Sequence, residues 1–131
     1  MIAQTKLALQ KDRDSALWEI VGDDLDVVDG KTIFLGLDKK DKTALTIFSD
    51  YVGYLADGII HVIDTLHPEA VLLGGGIANA GQRLLRPLRE AVEKRGYSGM
   101  QFANVKIEIA KLGNQAGMYG AYALAKQSLS V

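Results

Sequence analysis

The chain contains no cysteine, which excludes disulfides, thiol catalysis and cysteine-ligated zinc within its 131 residues. Histidine is almost as scarce. The only two, His61 and His67, argue against a histidine-based metal centre. Charge of either sign is not in excess: 15 basic against 16 acidic side chains leave a net −1, the wrong balance for a dedicated nucleic-acid or anionic-membrane binder. No apolar run approaches the ~18 residues of a membrane span, and the N-terminus lacks the basic, apolar, small-residue order of a secretion signal. A soluble, cytoplasmic chain is expected. What is present is ordinary: 48% hydrophobic and 24% charged residues, enough for a single domain over 1–131 with a proper core.

One stretch stands out, Glu69-Ala70-Val71-Leu72-Leu73-Gly74-Gly75-Gly76-Ile77-Ala78-Asn79. The run Val71–Leu73 predicts a strand buried on both faces of a parallel sheet, with Pro68 just ahead, where a missing N–H costs least. Three glycines end the strand, and a helix pattern begins soon after. Residues without side chains let a ligand reach the backbone, and a following helix N-terminus offers free N–H groups. The same glycines could equally serve only a tight strand-to-helix turn and close packing.

The remaining elements follow from periodicity. Residues 2–10 hold helix formers but little amphipathy; Asp14 or Ser15 caps a short helix through Leu17, Trp18 and Ile20. Gly22-Asp23-Asp24 is a turn, and Asp29 caps a helix packing Ile33, Phe34 and Leu37 inward. The strongest pattern predicts a helix over 43–66 with one face of Leu45, Phe48, Val52, Leu55, Ile59, Val62, Ile63 and Leu66. Asp41 would cap it and His67-Pro68 end it. Gly53 and Gly58 within it suggest another backbone close by. A helix over 81–95 buries Leu84, Leu85, Leu88 and Val92, with a kink or late start at Pro87. Gly96–Gly99 is a loop, and 105–109 alternates as a half-exposed strand. Gly113-Asn114 then caps a last helix over 115–127, whose near side-chain-free face of Ala116, Gly117, Gly120, Ala121 and Ala123 requires a very close partner surface. The predicted order is α-α-α-β-α-β-α, a helix-rich α/β fold whose strands, near 70–74 and 105–109, run parallel. Two strands make a poor sheet alone.

From about Ser15 onward the sequence resembles the carboxy-terminal part of the ROK family, bacterial sugar kinases and sugar-responsive repressors on the actin-like ATPase (ribonuclease H-like) fold. The segment His67-Pro68-Glu69-Ala70-Val71-Leu72-Leu73-Gly74-Gly75-Gly76-Ile77 is similar to the family's "N-P-E-x-I-x-x-G-G-G-V" adenosine motif. Leu112-Gly113-Asn114-Gln115-Ala116-Gly117-Met118-Tyr119-Gly120-Ala121 is similar to its closing "L-G-x-x-A-G-x-x-G-A", and one helix and one strand separate the two. The resemblance implies that Gly74, Gly75 and Gly76 line a nucleotide site near the ribose and α-phosphate. Ile77 and Asn79 would lie at its edge, with Gly113 and Asn114 at the neighbouring helix end, where a structural role is an equal alternative. His67 falls on the family's asparagine and is assigned a turn role. For an intact protein the implied partners are ATP with Mg²⁺ and a hexose.

Several family motifs have no match here: the D-x-G-G-T phosphate hairpin, the catalytic aspartate, G-T-G-x-G, the sugar-binding E-x-G-H and the zinc cysteines. No catalytic or metal-ligating residue is therefore assigned. The expectation is a nucleotide-binding half without kinase activity of its own, or the same half of a repressor that binds no nucleotide, serving dimerisation and sensing. An exposed half-sheet and a stripped helix predict self-association. Asp23, Asp24 and Asp26 form a solvated acidic turn lacking a calcium-loop pattern. Asp57 and Asp64 share a helix face, leaving acid–base pairing formally open. Arg83, Arg86 and Arg89 form a solvated row with phosphate contact as an alternative. His61 is a partly covered helix residue, and Trp18 a core or interface anchor.

Overall fold

The computed structural model describes residues 1–96 and 105–128, in the order α1 (Ile2–Lys11), α2 (Leu17–Val21), α3 (Gly30–Asp38), α4 (Lys42–Leu66), β1 (Ala70–Leu73), α5 (Gln82–Arg95), β2 (Lys106–Ile109) and α6 (Ala116–Ser128). Short 3₁₀ turns cover Leu25–Val27, Gly76–Ala80 and Gly113–Gln115. Four helices precede β1, one more than the predicted order. Residues 2–11 complete a full helix despite their weak amphipathy, because Thr5 and Leu9 are wholly buried against its neighbours. The expected loop beyond Gly96 lies outside the described residues.

Side-chain oxygens set the helix starts. Asp29 accepts the N–H groups of Lys31 and Thr32, each at 2.9 Å, while the Thr32 hydroxyl accepts the Asp29 N–H at 3.0 Å, a complete capping box. Asp41 accepts the Ala44 N–H at 2.8 Å to start α4, and its other oxygen takes the Ser15 hydroxyl and Ala16 N–H. Ser15 in turn accepts the Leu17 N–H at 3.2 Å, but the N-cap position of α2 is Ala16, so neither Asp14 nor Ser15 stands at the cap as expected. Helix α4 ends at His67, φ 47° and ψ 51°. This left-handed conformation suits asparagine or glycine far better than most residues.

Helix α4 corrects the predicted single stripe. Its first half packs Ala44 and Ile47 against α1–α3, and its second half packs Val52, Ala56, Ile59 and Ile63 against α5 and the sheet. Phe48 touches both clusters. Because the helix changes partner midway, the buried face rotates, leaving Leu45, Val62 and Leu66 at 48%, 41% and 70% exposed. Gly53 meets a side chain, not a backbone: the Arg95 guanidinium fills its notch and donates to the Gly53 carbonyl at 3.1 Å. Gly58 faces open space. Helix α5 buries the four expected residues, starts at Gln82 and runs through Pro87, so there is no late start.

Strands β1 and β2 are parallel, paired Ala70 with Lys106 through Leu73 with Ile109. Val71, Leu73, Ile107 and Ile109 face the core formed with α4 and α5. The opposite face, bearing Leu72 at 63% exposure, Lys106 and Glu108, is open, so β1 is covered on one face and not two. Every described side chain of α6 is exposed, Met118, Tyr119, Tyr122 and Leu124 included. The close partner surface predicted for α6 is not found among the described residues.

Candidate functional site

At the end of β1 the chain turns through Gly74 into Gly75, whose φ 80° and ψ 179° lie in a region open essentially only to glycine. The Gly75 carbonyl accepts the Ala78 N–H at 3.1 Å, and the buried Ala78 anchors the 3₁₀ turn beneath. This turn fills the interval between the glycines and α5, which starts at Gln82 behind its N-cap Gly81, where the sequence places it. A Cβ added at Gly74, Gly75 or Gly76 would meet nothing within 4 Å. The backbone corner is open.

The turn Gly76–Ala80 lies against the turn Gly113–Gln115 that leads into α6, so the structure brings the two glycine motifs together. Beside it opens a cleft of about 880 Å³. Gly76, Ile77 and Asn79 line it, together with Asp29, Lys31 and Phe34 from the start of α3. Gly74, Gly75 and Gly113 stand outside this lining. The lining is mainly apolar, with Tyr51 of α4 also contributing.

The charged groups of the cleft are largely committed. The Asp29 carboxyl is held below its ordinary range, first by the Thr32 backbone N–H. Arg83 lies 5.1 Å over the Phe34 ring and donates to the Phe34 carbonyl at 2.9 Å and to Asp38 at 2.6 Å, tying α5 to α3. The rest of the arginine row is structural too. Arg86 pairs with Glu90, and Arg89 donates from Nε and Nη2 to the Ile107 carbonyl at 3.0 and 2.6 Å. All three arginines are exposed, as expected of a solvated row, and each also makes these surface contacts.

Other candidates dissolve into structure. Asp57 is bound by Arg95 at 2.9 Å, while Asp64 is exposed. His61 is exposed and contacts the Asp57 carbonyl. Asp24 accepts the Asp26 N–H, and Asp26 pairs with Lys6 at 2.9 Å. Among the described residues no three of His, Cys, Asp and Glu gather as metal ligands. Trp18 is half-buried, bonded to the Asp12 carbonyl at 2.9 Å under the Arg13 guanidinium. The wall contributed by Asp29–Phe34 and Tyr51 was not found from sequence. Its local signal, the Asp29 cap, announces a helix start but not which element that start faces.

Residues 12–128 match the ROK family. The chain belongs to the ROK family. A glucokinase from Halalkalibacterium halodurans is 34% identical over 102 residues, 77% of this chain but 30% of that protein. A xylose repressor from Caldicellulosiruptor bescii is 33% identical over 67 residues, 51% of this chain and 16% of the repressor. Among solved structures, a ROK family glucokinase from Streptomyces griseus, in complex with glucose and AMPPNP, superposes with a TM-score of 0.82 at 24% identity, over 96% of this chain and 41% of that one. The fold is thus part of the actin-like ATPase fold of ROK proteins. The chain spans well under half the length of these relatives. No helix among the described residues is long and apolar enough to cross a membrane.

Proposed function

We propose that this chain is the nucleotide-binding half of a ROK sugar kinase, which in the intact protein moves a phosphoryl group from ATP to a hexose hydroxyl. The observation that carries the proposal is the open backbone corner Gly74–Gly76, whose last glycine lines a largely apolar cleft. In this reading the base lodges between Ile77 and the Phe34 side of α3, with Asn79 able to hydrogen-bond its edge. The ribose and α-phosphate lie along Gly74–Gly76, where only backbone is in the way, and Gly113 and Asn114 support the turn from behind. Lys31 brings positive charge to the same cleft. The described residues give Mg²⁺ no seat of their own.

Catalysis is not assigned to this chain. Phosphoryl transfer needs positioning, charge neutralisation and a base at the acceptor hydroxyl. Among the described residues Asp29 is the one carboxylate on the cleft lining, and it is engaged in capping α3. We therefore read the chain as inactive by itself. The open face of the sheet and α6 are read as surfaces that further polypeptide covers, in self-association or in a longer protein.

Titration calorimetry with ATP–Mg²⁺ tests the binding claim: saturable heat supports it, and none at millimolar nucleotide refutes it. The repressor relative and the exposed apolar residues of α6 favour a second reading, a dimerisation and sensing half that binds no nucleotide. A flat calorimetric trace from a chain that dimerises would favour that one.

A further inference from the structure

Two helices that line the cleft belong to different parts of the core. Helix α3 packs on α2 and α4, while α5 packs on α4 and the sheet, and their buried residues fall in separate clusters. Among the described residues, every hydrogen bond between α3 and α5 is made by Arg83. Its Nη2 donates to the Phe34 carbonyl at 2.9 Å and to the Asp38 carboxylate at 2.6 Å. The same guanidinium lies 5.1 Å over the Phe34 ring. From α4, Phe48 meets that ring edge-on, with centroids 5.5 Å apart. The half-buried Phe34 is thus set by contacts from α4 and α5 together. Phe34 and Arg83 line the cleft, and Asp38 does not.

We infer that Arg83 is a positioning residue for the base of the bound nucleotide, acting through Phe34 and touching no phosphate. A side chain held in its bound place beforehand spares the cost of ordering it when ligand arrives. Arg83 supplies that hold at the Phe34 ring, and Asp38 supplies it at Arg83. The charge of Arg83 is already paired by the Asp38 carboxylate, which leaves little net field for an incoming phosphate. The contact is half exposed, with side-chain exposures of 48% for Arg83 and 60% for Asp38, so it adds little to overall stability. Its effect is concentrated where the ring must stand. This inference rests on the nucleotide reading above and adds what keeps the base site in shape.

The test is calorimetric titration of the chain with ATP–Mg²⁺ and with adenosine, which carries the base and sugar without a phosphate. Arg83→Ala should weaken both ligands by the same factor, about three- to tenfold, with the wild-type salt dependence kept. Its circular dichroism spectrum and melting temperature should stay near wild type. Asp38→Asn supplies a sign that charge alone would reverse. Loss of a carboxylate beside the cleft favours an anionic ligand, yet this variant should bind adenosine and ATP–Mg²⁺ more weakly, because Arg83 is released from Phe34. In a Phe34→Leu background, Arg83→Ala should change adenosine affinity little further, since it acts through the ring. A wild type that binds neither ligand at millimolar concentration refutes the nucleotide reading and this role together. Binding of both ligands, unmoved by Arg83→Ala and Asp38→Asn, refutes the role of Arg83 alone. So does a loss confined to ATP–Mg²⁺ with a changed salt dependence, which would make Arg83 a phosphate contact. A wild type that binds ATP–Mg²⁺ but not adenosine overturns it as well.

Discussion

Replacing Gly36 with alanine should destabilise the protein, and the same replacement at Gly58 should stabilise it. Both glycines lie in helices, where alanine is favoured by about 1 kcal/mol. At Gly36 a new Cβ would sit 2.5 Å from Leu17 Cδ2 and 2.7 Å from the Ala44 Cβ. Leu17 and Ala44 are wholly buried, and the Ala44 methyl cannot rotate away, so α3 must move off α4. Overpacking of this kind costs about 1–3 kcal/mol, and a fixed methyl places the cost toward the upper end. The net loss is about 1–2 kcal/mol, or roughly 3–8 °C in Tm for a chain of this length. At Gly58 the Cβ meets nothing within 4 Å, so only the propensity gain of about 0.5–1 kcal/mol remains. Urea unfolding followed by circular dichroism reads both. Midpoints that shift the same way, or a Gly36→Ala midpoint at or above wild type, would refute the packing assigned to α2, α3 and α4.

Asp41→Ala should cost about 2–4 kcal/mol by denaturant titration, because the buried Asp41 carboxylate holds Ser15, Ala16 and Ala44 together. Asp29 predicts an acid limb. Its carboxyl is lowered in the fold, so its stabilisation is present above the unfolded value of about 4 and is lost as pH falls through the lower folded value. Asp29→Asn should flatten thermal stability over that window; an unchanged slope would remove Asp29 as the cause. Gly74→Ala, at an open position where φ is not positive, should leave the melting temperature near wild type while weakening nucleotide binding. Incubation of the chain with ATP–Mg²⁺ and a hexose should release no sugar phosphate in a coupled assay.

Sequence patterns carried the caps at Asp29 and Asp41, the buried face of α5, the parallel strands and the open glycine corner. Each depends on neighbours close in sequence or on a two- or three-to-four-residue period. The rest depended on what an element meets. The stripe of α4 was misplaced because the helix packs on one cluster through Ala44 and Ile47 and on another through Val52 to Ile63. Gly53 makes room for Arg95, a residue 42 positions away, and Arg89 reaches β2, 18 positions on. The cleft wall at Asp29–Phe34 was invisible for the same reason. The residues proposed for a nucleotide came from the family resemblance, and of these Gly76, Ile77 and Asn79 line the cleft. The small-residue face of α6 implied a partner that the described residues do not supply.

Calorimetric titration of ATP–Mg²⁺ into the wild-type chain and Gly74→Ala in parallel bears most directly on the central proposal. Saturable heat with the wild type, weakened at least several-fold by the added methyl at equal melting temperature, is the predicted result. No heat from the wild type at millimolar nucleotide, or equal affinity for both proteins, would contradict it.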